Sequence, residues 1–128
     1  MPVKVISAAV TAAFFLSAAM VGAQACEPTQ LPSPHNRNQS KIDFINGSRY
    51  AFQVFWSDFE GNLSPFAVVQ PGERANYKTY AGHRWYVEMY TPDGEECFGP
   101  IWTDSGDHCV ARMLYDGGIG IDSSACSF

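Results

Sequence analysis

The sequence predicts an all-β fold, a small antiparallel β-sandwich of about seven strands that is stapled by disulfides and preceded by a cleaved signal peptide. Short runs of aromatic and β-branched residues alternate with turn residues at intervals of about eight to twelve positions, which is typical of sandwiches and barrels. After the leader, no stretch sustains the apolar period of about 3.6 residues that an amphipathic helix needs. Four cysteines, an even number, predict a disulfide framework.

The N-terminus reads as a secretory signal. Residues 1–25 carry Lys4 near the start, then an uncharged apolar run, then Ala-Gln-Ala at positions 23–25. The apolar run is too short to argue for a retained membrane span. We therefore expect cleavage after Ala25 and a secreted or periplasmic protein with a signal peptide over 1–25, a disordered tether over 26–40 and one sandwich domain over 41–128.

The tether is expected from composition, since residues 26–40 are rich in Pro, Asn and Ser and offer almost nothing to bury. Regular signals begin at Lys41. There "KIDFI" alternates, "NGS" supplies an Asn-Gly turn and "RYAFQVFWSDF" continues as an aromatic strand, which predicts two strands joined by a tight turn.

The remaining elements follow the same logic. After the break "EGNLSP", the run "FAVVQPGERANYKTY" predicts a strand, a Pro-Gly turn and a strand, and "AGHRWYVEMY" predicts another strand immediately afterwards. "TPDGEE" is a turn, "CFGPIW" a short strand, and the final "DSGDHCVARMLYDGGIGIDSSAC" has room for one or two more strands. These segments together account for about seven strands.

The distribution of charge excludes some classes of binding partner. The chain has a formal net charge of −5, and its Lys and Arg residues are scattered rather than clustered, so neither nucleic acid nor an anionic membrane is an expected partner. The run Asp107-His108-Cys109 suggests a cysteine nucleophile beside a histidine base. We do not expect this activity, because a cysteine in an exported four-cysteine chain is expected to be oxidised and unreactive. We expect no enzyme, no metal and no cofactor.

The pairing of the cysteines is open at this level, because four cysteines permit three connectivities. We expect Cys97 to pair with Cys109. Cys26 would then pair with Cys126 and staple the two ends of the domain.

An ordered set of short motifs resembles the β domain of the von Hippel-Lindau tumour suppressor family. The resemblance covers residues 43–102 and runs without a gap from Val54 to Trp85. It rests on Trp-x-x-Phe-acid-Gly at 56–61, Pro-Gly at 71–72 and Tyr-x-Gly-His-x-Trp at 80–85. It implies a seven-stranded antiparallel sandwich that recognises 4-hydroxyproline in an extended peptide, without the helical domain that binds the ubiquitin-ligase adaptor, so no such adaptor is expected.

The resemblance also implies a set of ligand-binding residues. They are Trp56, Phe66, Thr79, His83 and Trp85. Thr79 stands where the family has serine, which keeps the hydroxyl, and Phe66 stands where the family has tyrosine, which loses one.

The chemistry of these residues agrees with such a pocket. If Tyr80-Ala81-Gly82 forms a hairpin loop, Thr79 and His83 face each other across the strands, and together they can satisfy an alcohol with one donor and two acceptors. Indole rings would cover the C–H surface of a pyrrolidine ring. Two alternatives stay open: a structural or envelope protein that uses its surface, and a carbohydrate-binding module built on Trp85 and Tyr86.

Overall fold

The computed structural model describes residues 26–121 and 125–128, and the predicted signal sequence lies outside them. Within this part the fold is all-β, and no helix has the length and hydropathy of a membrane span. The strands are β1 (Gln39–Asn46), β2 (Phe52–Ser57), β3 (Leu63–Val69), β4 (Arg74–Tyr80), β5 (Trp85–Thr91), β6 (Gly94–Thr103), β7 (His108–Met113), β8 (Ile119–Ile121) and β9 (Cys126–Ser127). Seven of them have six residues or more, which confirms the predicted size of the sandwich.

Two sheets form the sandwich. One has five strands in the order β9-β6-β5-β2-β3, and the other has four in the order β4-β1-β7-β8. The core lies between them because alternate side chains of each strand point inward, as Ile42 and Phe44 do from β1 and Phe52 and Val54 do from β2. The fold class predicted from the sequence is therefore confirmed.

One pair of strands departs from the antiparallel prediction. β1 pairs with β4 antiparallel on one side but with β7 in parallel on the other, with Lys41 opposite His108. Only a tight hairpin forces antiparallel pairing, and β7 enters this sheet from β6 of the other one. The direction of β7 is therefore set by the crossover and not by a turn.

Several turns that look like hairpin turns in the sequence are crossovers between the sheets. The turn after Asn46 leads from the four-stranded to the five-stranded sheet, Pro71-Gly72 leads back, and residues 81–84 cross again from β4 to β5. Turn residues predict that a chain reverses, but not which sheet receives it. Thr79 consequently pairs with Ser40, and the expected pairing of Thr79 with His83 across a hairpin is wrong.

The segment 26–40 is not the free tether expected from its composition. It lacks regular structure up to Gln39, where β1 begins, but Ser33 is buried and its N–H donates to Asp58 O at 3.1 Å. The Ser33 hydroxyl accepts a bond from Arg84 N at 2.9 Å, and Gln30 N donates to Gly61 O at 2.7 Å. We call residues 26–38 the strap. Backbone hydrogen bonding, which composition does not reveal, fixes it to the sandwich.

The disulfides also differ from the expected pairs. Cys26 bonds Cys97 and Cys109 bonds Cys126, with Cα atoms 4.9 and 4.7 Å apart. The predicted pair of Cys97 with Cys109 fails because strand alternation separates them: Cys109 faces the core, whereas Cys97 lies exposed on β6. Two disulfides indicate an oxidising compartment.

Candidate ligand-binding site

A pocket of about 300 Å³ lies where the edge strands β3 and β4 meet the crossover to β5. All five residues expected from the sequence line it: Trp56, Phe66, Thr79, His83 and Trp85. They come from four strands and one loop, so only the tertiary fold brings them together. Three further residues complete the lining: Phe59, Lys78 and Tyr80.

The floor of the pocket is an indole bonded to a hydroxyl. Trp85 belongs to the core and stacks on Tyr77, with ring centroids 5.1 Å apart and planes 15° apart. Its Nε1–H donates to Thr79 Oγ1 at 3.0 Å. This bond uses one acceptor site of the Thr79 hydroxyl and leaves its O–H and a second lone pair.

The side of the pocket repeats the arrangement with an imidazole. Trp56 Nε1–H donates to His83 Nδ1 at 3.3 Å, and the two rings stack with centroids 5.7 Å apart. Because Nδ1 accepts, a neutral His83 carries its proton on Nε2. Nε2 is buried and has no hydrogen-bond partner of ordinary geometry within the described residues.

His83 is held in its neutral form. Burial lowers the pKa of its imidazole below the ordinary value of 6.5, and the charge of His35 lowers that pKa further. The Pro34 carbonyl of the strap favours protonation and opposes the shift, although it does not reach Nε2 with normal bond geometry. His83 is therefore a spare N–H donor at neutral pH.

Exposed aromatic rings form the rim. Phe66 is 43% exposed and packs edge-on against Trp85, and Phe59 is 40% exposed and packs edge-on against Trp56 and His83. Sequence reasoning missed Phe59 as a pocket residue, although it stands inside the Trp-x-x-Phe turn at 56–61. An aromatic ring in a polar turn was the signal that could have found it.

The hydroxyl that Phe66 lacks has a neighbour that carries one. Tyr77 packs edge-on against Phe66 with ring centroids 5.2 Å apart, and its oxygen accepts a bond from Ala67 N at 3.3 Å. Tyr77 OH still has its proton to donate. A phenol is thus present beside the rim, but it comes from β4 and not from the expected position 66 on β3.

The polar groups lie deeper than the sequence suggested. The pocket hypothesis drawn from the sequence requires the side chains of Thr79 and His83 to be open to solvent. This expectation is wrong, because the two residues are only 3% and 5% exposed. They lie beneath the aromatic rim. Trp85 and Tyr86 are both buried as well, so they do not form the exposed platform that a carbohydrate module on these residues would need.

A second cavity continues from the pocket. It has a volume of about 490 Å³, shares Phe59, Tyr80 and His83 with the pocket, and is otherwise lined by residues of the strap and of the start of β1. His35 of the strap stacks on Phe59 with centroids 4.2 Å apart. The two cavities adjoin at these shared residues, and we call them together the groove, whose second half is lined mainly by polar side chains.

Comparison with known families agrees with this geometry. A family model described as the VHL beta domain matches residues 31–94, which is half of the chain. The match includes the end of the strap and every residue that lines the pocket. The β domain of this family is a substrate-recognition module and not a catalytic one. The chain belongs to the VHL β-domain family.

Proposed function

We propose that this protein binds an extended peptide with a prolyl residue in the aromatic pocket, and that it prefers 4-hydroxyproline at this position. The observation that carries the proposal is the convergence of two indole–polar pairs, Trp56 with His83 and Trp85 with Thr79, under one apolar rim. Aromatic walls with a few converging polar groups are the usual composition of a small-ligand pocket.

The preference follows from the hydrogen-bonding capacity that the two pairs leave over. His83 Nε2–H is a buried donor without a partner in the described chain, and Thr79 keeps a lone pair. A ligand hydroxyl accepts from the first and donates to the second. An unsatisfied buried polar group costs about 1–3 kcal/mol, so relieving one corresponds to a preference of about 5-fold to 150-fold.

Access to these groups requires the rim to move. Phe59 and Phe66 are more than a third exposed and lie on a turn and an edge strand, where rotamer changes meet little resistance. The prolyl ring would then rest on Trp56 and the rim, with its hydroxyl directed inward. The polar half of the groove would receive the residues that flank the proline.

The test is a calorimetric titration of the oxidised protein with two extended peptides that differ only in proline or 4-hydroxyproline. We expect tighter binding of the hydroxylated peptide. In His83→Phe, which keeps an aromatic plane and removes both ring nitrogens, the preference should disappear while the plain peptide still binds.

His35→Phe is the matched control, because it makes the same chemical change on a ring that stacks on Phe59 and lines the second cavity but not the aromatic pocket. It should keep the preference for the hydroxylated peptide. Equal affinities of the two peptides for the unmodified protein would refute the preference. The absence of heat with both would refute the pocket and favour a protein that works through its outer surface.

A further inference from the structure

The outer face of the four-stranded sheet gathers basic side chains that are scattered in the sequence. Lys41 of β1 lies directly opposite Lys78 of β4 on one side and His108 of β7 on the other. Directly opposed residues leave a sheet on the same face, and neighbouring strands are about 4.8 Å apart. The three exposed side chains therefore form a row across three strands, which we call the cationic row.

A buried carboxylate beside the row bonds to several of the neighbouring side chains. Asp43, two residues after Lys41 and on the same face, places Oδ2 at 3.0 Å from His108 Nε2 and 3.2 Å from Arg74. Burial alone would raise the pKa of Asp43, but hydrogen bonds from Asn76, His108 and Arg74 hold this pKa below its ordinary value. Asp43 is thus a fixed anion that is already matched by its neighbours, and it leaves the ammonium groups of Lys41 and Lys78 for other partners.

Two shallow depressions flank the row, with volumes of about 310 and 270 Å³. All three residues of the cationic row line both of them. One also contains the Asn76 amide, and the other contains the Gln39 amide and the carboxylate of Asp107. The row and its surroundings offer ammonium and amide groups, which match charged and hydroxyl groups rather than the apolar anchors of a protein interface.

We propose that this face binds an acidic polysaccharide. Its carboxylate or sulfate groups lie on Lys41 and Lys78, and its hydroxyls bond the Gln39 and Asn76 amides. Such polymers occur in the oxidising compartments that the disulfides indicate. The positive row stands out on a chain with a net charge of −5, so attraction is local and falls with salt.

This proposal does not rest on the peptide pocket, although Lys78 borders both sites. The probes are a galacturonic acid hexamer, a heparin hexasaccharide and neutral maltohexaose, each titrated into the oxidised protein at low salt and at physiological salt. We expect at least one acidic hexamer to bind with an affinity that falls as salt rises, and maltohexaose to give no signal.

The variant Lys41→Gln/Lys78→Gln removes two exposed cations from the row. At about a five-fold loss for each ammonium–anion contact in water, it should bind the acidic hexamer roughly twenty-five-fold more weakly. The control Arg37→Gln/Arg49→Gln makes the same change in net charge at two exposed residues off the row and should stay within about two-fold of the parent protein.

Four results would overturn the proposal. One is an equal loss in both double variants, since net charge alone would then explain binding. Another is equal affinity for maltohexaose, and a third is hexaglutamate binding as tightly as the saccharides, which would indicate an acidic protein segment instead. The fourth is the absence of binding by both acidic hexamers at low salt, with the protein shown to be folded by its near-UV circular dichroism.

Discussion

Replacing Thr79 with valine tests the floor of the pocket directly. The indole N–H of Trp85 is buried in the core and donates to Thr79 Oγ1 at 3.0 Å. Valine keeps the shape of threonine but removes the acceptor, so the N–H stays buried without a partner. The free energy of unfolding should fall by about 1–3 kcal/mol, and each kcal/mol lowers the Tm of a domain of this size by about 4–8 °C.

The assay is denaturant unfolding of the oxidised protein, followed by tryptophan fluorescence and checked by thermal melting. Thr79→Ser is the control, since it keeps the acceptor and loses only a methyl group, at about 0.8 kcal/mol. Trp85→Phe and the double variant Thr79→Val/Trp85→Phe complete a double-mutant cycle, in which we expect a coupling of about 1 kcal/mol or more.

Two results would refute this reasoning. One is a Thr79→Val protein that is as stable as Thr79→Ser, and the other is a coupling energy near zero. A positive result also affects the binding experiment. Because Thr79→Val would disturb Trp85 as well as the ligand hydroxyl, a loss of peptide affinity in that variant alone does not report on hydroxyproline.

Three further predictions concern the acid response, the rim and the strap. Peptide affinity should be constant from pH 8 to about 6.5 and fall at lower pH, because the pKa of His83 is lowered below its ordinary value. Protonation of His83 would place two N–H donors, His83 Nδ1–H and Trp56 Nε1–H, face to face. A calorimetric affinity that stays constant down to pH 5 would contradict this prediction. The Phe66→Tyr variant should bind the peptide about two-fold to ten-fold more tightly, because the added hydroxyl can form one hydrogen bond at the rim. Equal or weaker affinity would show either that the Tyr77 hydroxyl already forms this bond or that no peptide carbonyl lies near residue 66. Cys26→Ala/Cys97→Ala, which opens a loop of 71 residues, should lose about 4 kcal/mol of stability, against about 3 for Cys109→Ala/Cys126→Ala with its separation of 17, and the reverse order in urea unfolding would argue against the strap being fixed.

The lowered pKa of His83 also predicts how the stability of the fold changes with pH. The folded-state pKa of His83 lies below the ordinary value of 6.5, so the unfolded chain takes up the proton first as pH falls. Unfolding free energy should therefore decline below about pH 6.5 until the folded pKa is passed, and His83→Phe should remove this part of the decline. Asp43 acts at lower pH, because its contribution is lost only as pH falls below its ordinary value of 3.8.

The sequence predicts the fold class well, because burial alternates along β4, β7 and part of β1. In β1, for example, Ile42 and Phe44 are buried on one face while Lys41 is exposed on the other, and this period survives in any sheet arrangement. It predicts the partners of each strand poorly. The Tyr80 to Gly82 turn suits a hairpin as well as a crossover, so the sequence predicts His83 as the partner of Thr79, whereas the partner in the structure is Ser40.

The candidate site could be predicted as a set of residues but not as an arrangement. The motif spacing located five pocket residues, yet it gave no indication that each polar side chain is bonded to an indole or lies under a rim. The strap was missed because its stability comes from backbone bonds to the turn at 58–61, and composition carries no trace of these. The disulfide pairing could not be predicted for a related reason, since the positions of four cysteines in a sequence do not show which face of a strand each one occupies.

The parallel pairing of β1 with β7 has a consequence for how the chain folds. β1 lies inside the four-stranded sheet, between β4 and β7, so one of its edges stays open until β7 has been synthesised and has paired with it. Contacts this distant in sequence close late and slow the folding rate. The family match ends at residue 94, before β6 is complete. A fragment cut at that boundary would lack β7 and would expose both the edge of β1 and the core residues that β7 covers. We therefore expect the smallest unit able to fold on its own to be longer than the segment by which the family is recognised.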